Sequence, residues 1–308
     1  MSAPHIVVVG SINMDLVARM SRLPRTGETI HGDSFQTIPG GKGANQAVAA
    51  ARLGARVTLI GRVGDDAFGA VLRQSLREFG VCTDHVITSE GCASGVALIS
   101  VASGGANSIV VIAGANGLLT PDDVIARTNV IASADALIVQ LETPVETVVE
   151  AVEIARRFHV RTVLDPAPAP SGPLPESLRT VDLISPNQTE AEALTQIAVE
   201  TVESAVQAAR SLQRGGAREV VIKLGERGAL VCMADGRMEQ IPASKANIVD
   251  TTAAGDAFTA GLTVALAEGR SLTDAARFGC GAGTLACTVF GAQPAMPSRE
   301  DVDRFLRP

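Results

Sequence analysis

The stretch Ala134–Pro168, ADALIVQLETPVETVVEAVEIARRFHVRTVLDPAP, decides the fold. It opens on an apolar run, passes through a segment from Pro144 to His159 with apolar residues at helical spacing, and closes on a second β-branched run ahead of prolines. Strand, helix and strand, with both strands apolar on either face, describe a parallel unit whose sheet is covered by helices on both sides. The rhythm repeats outward. HIVVVG from His5, RVTLIGRVG from Arg56, VDLISPN from Val181 and EVVIKLG from Glu219 read as further strands. GANQAVAAARLGA from Gly43 and TVESAVQAARSLQRGGA from Thr201 carry the helical period. The prediction is an α/β fold around a parallel sheet, with the functional loops at the C-terminal ends of the strands.

Two segments break the rhythm. From Ile12 to Pro39 the chain is rich in turn formers and polar alternation, and SGVALISVASGGANSIVVIAG, from Ser94 to Gly114, reads as two strands joined by the turn SGGAN. Together they are expected to form a small antiparallel sheet inserted into the α/β body. Its open face and edge would need a site to cover or a partner subunit to meet. There is no internal repeat or low-complexity linker, and the Pro-rich DPAPAPSGPLP from Asp165 reads as a loop after a strand.

A chain of 308 residues can bury about three quarters of the surface it exposes when unfolded. Hydrophobic residues make up 46% and charged residues 19%, with 8 Phe and neither Trp nor Tyr, so the core is aliphatic and platforms for stacking bases are scarce. The formal charge of −7, from 26 basic and 33 acidic residues, argues against nucleic acid held on a broad basic surface and still permits a small anion site. The cysteines at 82, 92, 232, 280 and 287 are odd in number, widely spaced and without a CxxC pair, which suggests buried thiols in a reducing compartment. No basic segment precedes the first apolar run and no stretch offers 18 uninterrupted apolar residues, so a soluble cytoplasmic protein without membrane contact is expected.

In PGGKGANQAVAA, from Pro39, the glycines at 40, 41 and 43 allow close approach of a ligand to the backbone. A helix from Ala44 is expected to offer free N–H groups to an anion or hydroxyl, with Lys42 and Asn45 beside them; a plain glycine turn explains the same residues equally well. Asn13 and Asp15 in GSINMDL stand two apart after the first strand and share one side of an extended chain, as an amide and a carboxylate binding a vicinal diol would; an Asx turn is the alternative reading. Glu142 in VQLETP ends a strand, either accepting a sugar hydroxyl or starting a helix. Asn187 and Glu190 in SPNQTEAEAL have the spacing of a capping box and equally suit a hard cation reached through water. In VIKLGERGAL a strand leads into Lys223, Gly225 and Gly228, loop residues suited to a nucleotide or to an ordinary turn.

VDTTAAGDAF, from Val249, places small residues at a helix start. The N–H groups of Ala253, Ala254 and Gly255 could close on a phosphoryl oxygen, a use that offsets the roughly 1 kcal/mol a helical Gly costs against Ala. Asp256 then lies in the first turn, either to take a proton from an attacking hydroxyl or to complement the helix dipole, a role worth up to about 1 kcal/mol. The dipole leaves the small residues unexplained.

With GSINMD, GGKGANQAVAAARLGA, GDDAFG, LETP, DPAPA, PNQTEAE, DTTAAGDAF and GAQPAMP in this order, the chain resembles the ribokinase-like sugar kinase family nearly end to end. The resemblance implies a single ribokinase-like α/β domain over residues 1–308, a three-layer sandwich with a mainly parallel central sheet. It adds a small β-sheet lid from about 12–39 and 94–113 that forms a homodimer contact. The implied activity is transfer of the ATP γ-phosphate to the C5 hydroxyl of D-ribose, with Mg2+ and an activating K+. Asp256 would be the base, with Ala253, Ala254 and Gly255 as the anion hole. Asn13, Asp15, Gly41, Lys42, Asn45 and Glu142 would hold the sugar, and Asn187, Glu190, Lys223, Gly225 and Gly228 would meet the nucleotide phosphates and magnesium. Asp250, with main-chain oxygens of Thr252, Ala286, Val289 and Gly291, would hold the monovalent cation. There are two departures. The family often has Ser at the position of Ala295, which implies looser potassium binding here, and Cys280 stands where His or Asn often edges the adenine.

Within such a family a nucleoside kinase would want aromatic side chains around a base, and the lid segments offer only Phe35. A phosphofructokinase-like enzyme would want paired cations for a substrate phosphate, and the sugar motifs contribute only Lys42. Deoxyribose or another small sugar stays open. A catalytically silent nucleotide- or sugar-binding regulator would be signalled by a lost base or a broken anion hole, and neither is seen.

Overall fold

The computed structural model describes residues 3–104, 106–170 and 172–307. In chain order its strands are β1 (His5–Val9), β2 (Asn13–Met20), β3 (Ser34–Gly40), β4 (Arg56–Gly64), β5 (Val81–Cys82), β6 (Val86–Ser89), β7 (Gly95–Ala102), β8 (Asn107–Ile112), β9 (Ala136–Val139), β10 (Arg161–Leu164), β11 (Leu183–Ile184), β12 (Glu219–Lys223), β13 (Ala229–Cys232) and β14 (Met238–Ile241).

β1 shows why the sheet must have two covered faces. Ile6 and Val8 point into one apolar core and Val7 and Val9 into another, and all four are fully buried. Alternating side chains achieve this only when helices lie on both sides. Helices Lys42–Arg52, Ala67–Glu78, Ala254–Ala267 and Leu272–Ala286 cover the Ile6 side, and Val145–Arg157 and Val202–Arg214 cover the Val7 side. The sheet runs β14-β13-β12-β11-β10-β9-β1-β4-β5, with β6 also on β4. It is parallel except where β12, β13 and β14 pair antiparallel at one edge.

The unit that opened the sequence reading is β9, the helix Val145–Arg157 and β10, and β9 and β10 pair in parallel. Val148, Ala151, Val152 and Ala155 follow a spacing of three and four and are buried, with Glu146 in the first turn and Arg156 and Arg157 in the last, where they complement the helix dipole.

A second sheet has the order β3-β2-β7-β8. It departs from the antiparallel expectation, since β2 and β7 pair in parallel. No hairpin joins these two strands; the chain passes through the helix Lys42–Arg52 and β4 between them, so nothing forces opposite directions. All six residues of β8 are exposed, and Phe35 and Leu98 add to the same exposed apolar surface. Within the expected turn Ser103–Asn107, Gly105 lies outside the described residues, as does Ser171 in the Pro-rich loop. Among the described residues no helix is long and apolar enough to cross a membrane.

Because β1, β9, β10, β11 and β12 run the same way, Gly10, Gln140 to Glu142, Asp165, Asn187 and Lys223 collect at one edge of the sheet.

Candidate active site

At that edge the end of β1 meets the helix Lys42–Arg52 at very short range. A Cβ on Gly43 would stand 2.6 Å from the Gly10 carbonyl carbon and from the Ser11 nitrogen, so only glycine allows the contact. Gly41, with φ 89°, turns the chain into the helix. The expected free N–H groups are not found here. The helix begins at Lys42 rather than Ala44, and its first N–H groups are taken: Lys42 N donates to Glu142 Oε2 (3.1 Å), Gly43 N to Ser11 Oγ (3.3 Å) and Ala44 N to the Ser11 carbonyl (2.9 Å). Ser11 Oγ in turn donates to Glu142 Oε2 at 2.6 Å. Glu142 thus serves the mouth of this helix, while the next helix starts at Val145 behind Pro144.

Asn13 and Asp15 are both buried near the start of β2. Asn13 Oδ1 accepts from Asn116 Nδ2 (2.7 Å), and Asn116 also pairs with both backbone polar groups of Ile12, which fixes the Asn13 amide with its nitrogen turned outward. Asp15 Oδ2 stands 2.3 Å from where a Cβ on Gly40 would lie. Burial, and then the charges of Glu142 and Asp256, push the Asp15 carboxyl up to about 7. Burial alone would lower the Lys42 ammonium, but Asp256, Asp165, Glu142 and Glu190 around it carry it above its usual range.

Asp256 is buried in the first turn of the helix Ala254–Ala267. Its Oδ2 accepts from Asn45 Nδ2 and its Oδ1 from Gln46 Nε2, each at 3.0 Å. Burial pushes this carboxyl up to about 6, opposed by Lys42 and by the two amide donors and assisted by Asp165. Asn45 Oδ1 is buried and has no partner among the described residues.

Ala253, which precedes the helix, has φ 57°, a left-handed conformation that costs a residue with a Cβ roughly 1–2 kcal/mol. Ala254 N donates to the Thr251 carbonyl (3.3 Å), which removes it from the expected set of free N–H groups, whereas among the described residues no acceptor is found for the N–H of Ala253, Gly255 or Asp256. A Cβ on Gly255 would meet only Lys223 Nζ, at 3.7 Å. Backbone strain beside unclaimed N–H groups is an arrangement chemically able to hold developing negative charge.

Lys223 closes β12 instead of lying in a loop, and its ammonium is turned inward onto Asp165 Oδ1 at 2.8 Å. Asn187 and Glu190 form a full capping box. Asn187 Oδ1 accepts from Glu190 N, and the Glu190 carboxylate accepts from Asn187 N (2.7 Å) and Nδ2 (2.8 Å). Burial raises the Glu190 carboxyl against the pull of Lys223. Gly225 faces open space, whereas Gly228 is packed on the β13–β14 hairpin, where a Cβ would meet the Ile241 carbonyl. Cys280 is buried in the helix Leu272–Ala286, its thiol pushed up to about 12 by burial.

Asp250 ties two chain segments together. Its Oδ1 accepts from Thr252 N (3.0 Å) and Oγ1 (2.7 Å), and its Oδ2 accepts from Gly291 N (3.0 Å). The Cys287 carbonyl accepts from the N–H groups of Val249 and Asp250. Burial alone would raise the Asp250 carboxyl, and these donors, with Arg19, hold it below the usual range. Ala286 and Ala295 are buried nearby in sequence, and Val289 is half exposed.

Sequence reasoning missed Ser11, Gln46, Asn116, Gln140 and Asp165. All of these but Asn116 stood inside quoted motifs, and the signal available for them was a polar residue on an otherwise apolar helix face or at a strand end.

The match to a family model decides the lineage: residues 3–299 fit the pfkB family of carbohydrate kinases. The chain belongs to this family. Among pfkB-family relatives, a ribokinase of Haemophilus influenzae is 41% identical over 301 residues, covering 98% of each chain. A deoxyribokinase of Salmonella typhi is 35% identical over 301 residues, again covering 98% of each. The solved structure of Arabidopsis thaliana ribokinase complexed with ribose and ATP superposes with a TM-score of 0.91 at 35% identity, covering 99% of each chain.

Proposed function

We propose that this carbohydrate kinase transfers the γ-phosphoryl group of ATP to the C5 hydroxyl of D-ribose, giving D-ribose 5-phosphate and ADP. The observation that carries the reading is Asp256, a buried carboxylate held by Asn45 and Gln46 in the same helical turn as two unclaimed N–H groups. The relatives named ribokinase support the acceptor, and the Arabidopsis complex with ribose and ATP supports the pair of substrates.

In this reading Asn13, Asp15, Lys42 and Asn45 hold the sugar, with Gly41 and Glu142 shaping the wall behind it. Asn45 Oδ1, buried and without a partner among the described residues, is the acceptor a hydroxyl would meet. Asp256 takes the proton of the C5 hydroxyl as that oxygen bonds to the γ-phosphorus and the bond to the bridging oxygen of ADP breaks. The N–H groups of Ala253, Gly255 and Asp256 take up the charge on the transferring group, that of Ala254, expected among them, being given to the Thr251 carbonyl, and the Lys223 ammonium beside Gly255 assists. Phosphoryl transfer depends on such positioning and neutralisation more than on covalent help from the protein.

No cluster of three or more His, Cys, Asp or Glu makes a metal cage among the described residues. Asn187 and Glu190 fit a magnesium ion that arrives with the nucleotide and is reached through water, as a strongly hydrated hard cation requires; when bound it would offset phosphate charge. Asp250 and the segments it ties together, carrying Thr252, Ala286, Val289 and Gly291, fit a monovalent cation, although Gly291 turns its N–H rather than its carbonyl to Asp250. Activation by potassium over sodium tests this, and Ala295→Ser should lower the half-activating concentration. The exposed apolar β8 and Phe35 support a homodimer through the second sheet acting as a lid.

The deciding experiment is an ADP-release screen across ribose, 2-deoxyribose, fructose, adenosine and fructose 6-phosphate. Ribose should give the highest kcat/KM, because polar groups built to hold a hydroxyl are left unpaired when it is missing. The deoxyribokinase relative makes 2-deoxyribose the second reading. Equal or better turnover of adenosine would reject both.

A further inference from the structure

Behind Asp256 lies a buried polar cluster in which Asp165 and Gln140 have no part in the chemistry so far and Gln46 figures only as a hydrogen-bond donor to Asp256. Gln46 is fully buried and gives one N–H of Nε2 to Asp256 Oδ1 at 3.0 Å and the other to Asp165 Oδ2 at 2.8 Å. Its Oε1 accepts from Gln140 Nε2 at 2.6 Å, so turning the amide over would aim its oxygen at two carboxylates. Gln140, in turn, fills the space beside Gly10, where a Cβ would stand 2.0 Å from its Oε1. Asp165 also accepts from Lys223 Nζ (2.8 Å) and Thr259 Oγ1 (3.3 Å). The hydrogen bonds form an unbroken path from Asp256 through Gln46 and Asp165 to the ammonium beside Gly255. Packing alone would not call for it, since an apolar side chain fills the place of Gln46 without bringing two buried carboxylates onto one nitrogen.

We infer that Gln46 is a positioning residue that locks the Asp256 carboxylate to the Asp165–Lys223 ion pair, so that the proton acceptor and the cation beside the transferring phosphoryl group keep a fixed relation. Asn45 holds one carboxylate oxygen of Asp256 and Gln46 the other, so the group cannot rotate and its remaining lone pairs point one way. The inference rests on the reading of Asp256 as the base. The charged groups facing Asp256 are Lys42 from the helix that carries Gln46, Asp165 from the end of β10, and Asp15 from β2.

The test is steady-state kinetics and melting of Gln46→Leu and Gln140→Leu beside Asp256→Asn, with kcat/KM followed against pH. Gln46→Leu should lower kcat about 10–100-fold, the scale set by a small misplacement of a reacting group, with KM for sugar and ATP changed less than about 3-fold. The acid limb of the profile should move to higher pH, because a carboxylate that loses a donor holds its proton more tightly. Gln140→Leu removes only the bond that orients the amide and should move both readouts the same way, by less. A folded Gln46→Leu enzyme with parental kcat and an unmoved acid limb overturns the inference, as does a loss carried by KM alone. If Gln46→Leu does not fold, parental kcat and profile in Gln140→Leu overturn it instead. Near-parental turnover by Asp256→Asn would sink the base itself, whereas a dead Asp256→Asn beside a normal Gln46→Leu would sink only the positioning role.

Discussion

Two helices at the same edge of the sheet begin with small residues and end up with opposite uses. At Lys42–Arg52 the mouth is shut: Glu142 and Ser11 occupy the first N–H groups, and glycine is there to let β1 approach. At Ala254–Ala267 the mouth is open: the Gly255 and Asp256 N–H groups are unclaimed, and glycine is there to leave space. A glycine-rich helix start is therefore not in itself an anion site. What decides is whether another part of the chain has already filled it, and that depends on contacts as distant as Lys42 to Glu142.

The largest expected effect is at the open helix. Asp256→Asn keeps shape and polarity and removes the proposed base, so kcat should fall about 10²–10⁴-fold while ATP binding persists. A dipole role alone predicts at most about 1 kcal/mol of lost stability and near-normal turnover, so kcat and melting temperature measured together separate the two.

The same glycine-to-alanine change at the two helix mouths should give opposite phenotypes. Gly43→Ala drives a Cβ to 2.6 Å from backbone atoms of β1 and its following residue, and should cost about 3 kcal/mol or more, read as a collapse of melting temperature. Gly255→Ala meets nothing nearer than 3.7 Å and improves helix propensity, so melting should hold or rise while kcat drops about 10–100-fold as the methyl intrudes on the phosphoryl site. Reversal of this pattern would mean the open and shut assignments are exchanged.

Asp15 gives a pH-dependent contrast beside the shut mouth. Its carboxyl, raised to about 7, ionises in the folded protein only at a cost that the unfolded chain does not bear. Stability from this group is full below about pH 4, the ordinary carboxylate range, and is lost as pH rises through about 7. Asp15→Asn should accordingly raise the melting temperature at pH 8 by a few degrees, about 1–3 kcal/mol, with little change at pH 4. The sugar KM should rise at least tenfold, as expected when a buried hydroxyl loses its partner. In the parent enzyme kcat/KM should fall below about pH 7 and more steeply below about pH 6, as Asp15 and then Asp256 take protons.

The smallest effect belongs to Ala253. Glycine there relieves a left-handed Ala and should stabilise the fold by up to about 1 kcal/mol, with kcat lowered only a few-fold by the looser helix start. Differential scanning calorimetry beside turnover would register both.

The strands were readable because β1, β4, β9, β10 and β12 are β-branched runs buried on two faces, a pattern that local composition reveals. The parallel pairing of β2 with β7 was not, because direction is set by the long route between them. Asn13, Asp15, Asn45 and Asp256 were singled out from types that suit hydroxyls and protons, and the structure buries all four. Gln46 and Asp165 escaped because their meaning arises only when residues 119 apart meet. At Asn187 and Glu190 the capping box and the cation reading use the same atoms, which is why spacing alone could not separate them.

The order of strands in the main sheet has a consequence for how the chain is made. β1 lies between β4 and β9, so the earliest of these strands to be synthesised keeps one open ladder until residue 139 has followed it. After β9 docks, β10, β11, β12, β13 and β14 each pair with the strand synthesised just before, and the sheet lengthens at one end in step with translation. Asp256 emerges only after the last of these strands. A nascent chain therefore carries the residues proposed to hold the sugar long before it carries the group proposed to take the proton, and the sheet is complete before the helices Ala254–Ala267 and Leu272–Ala286 can cover its Ile6 face.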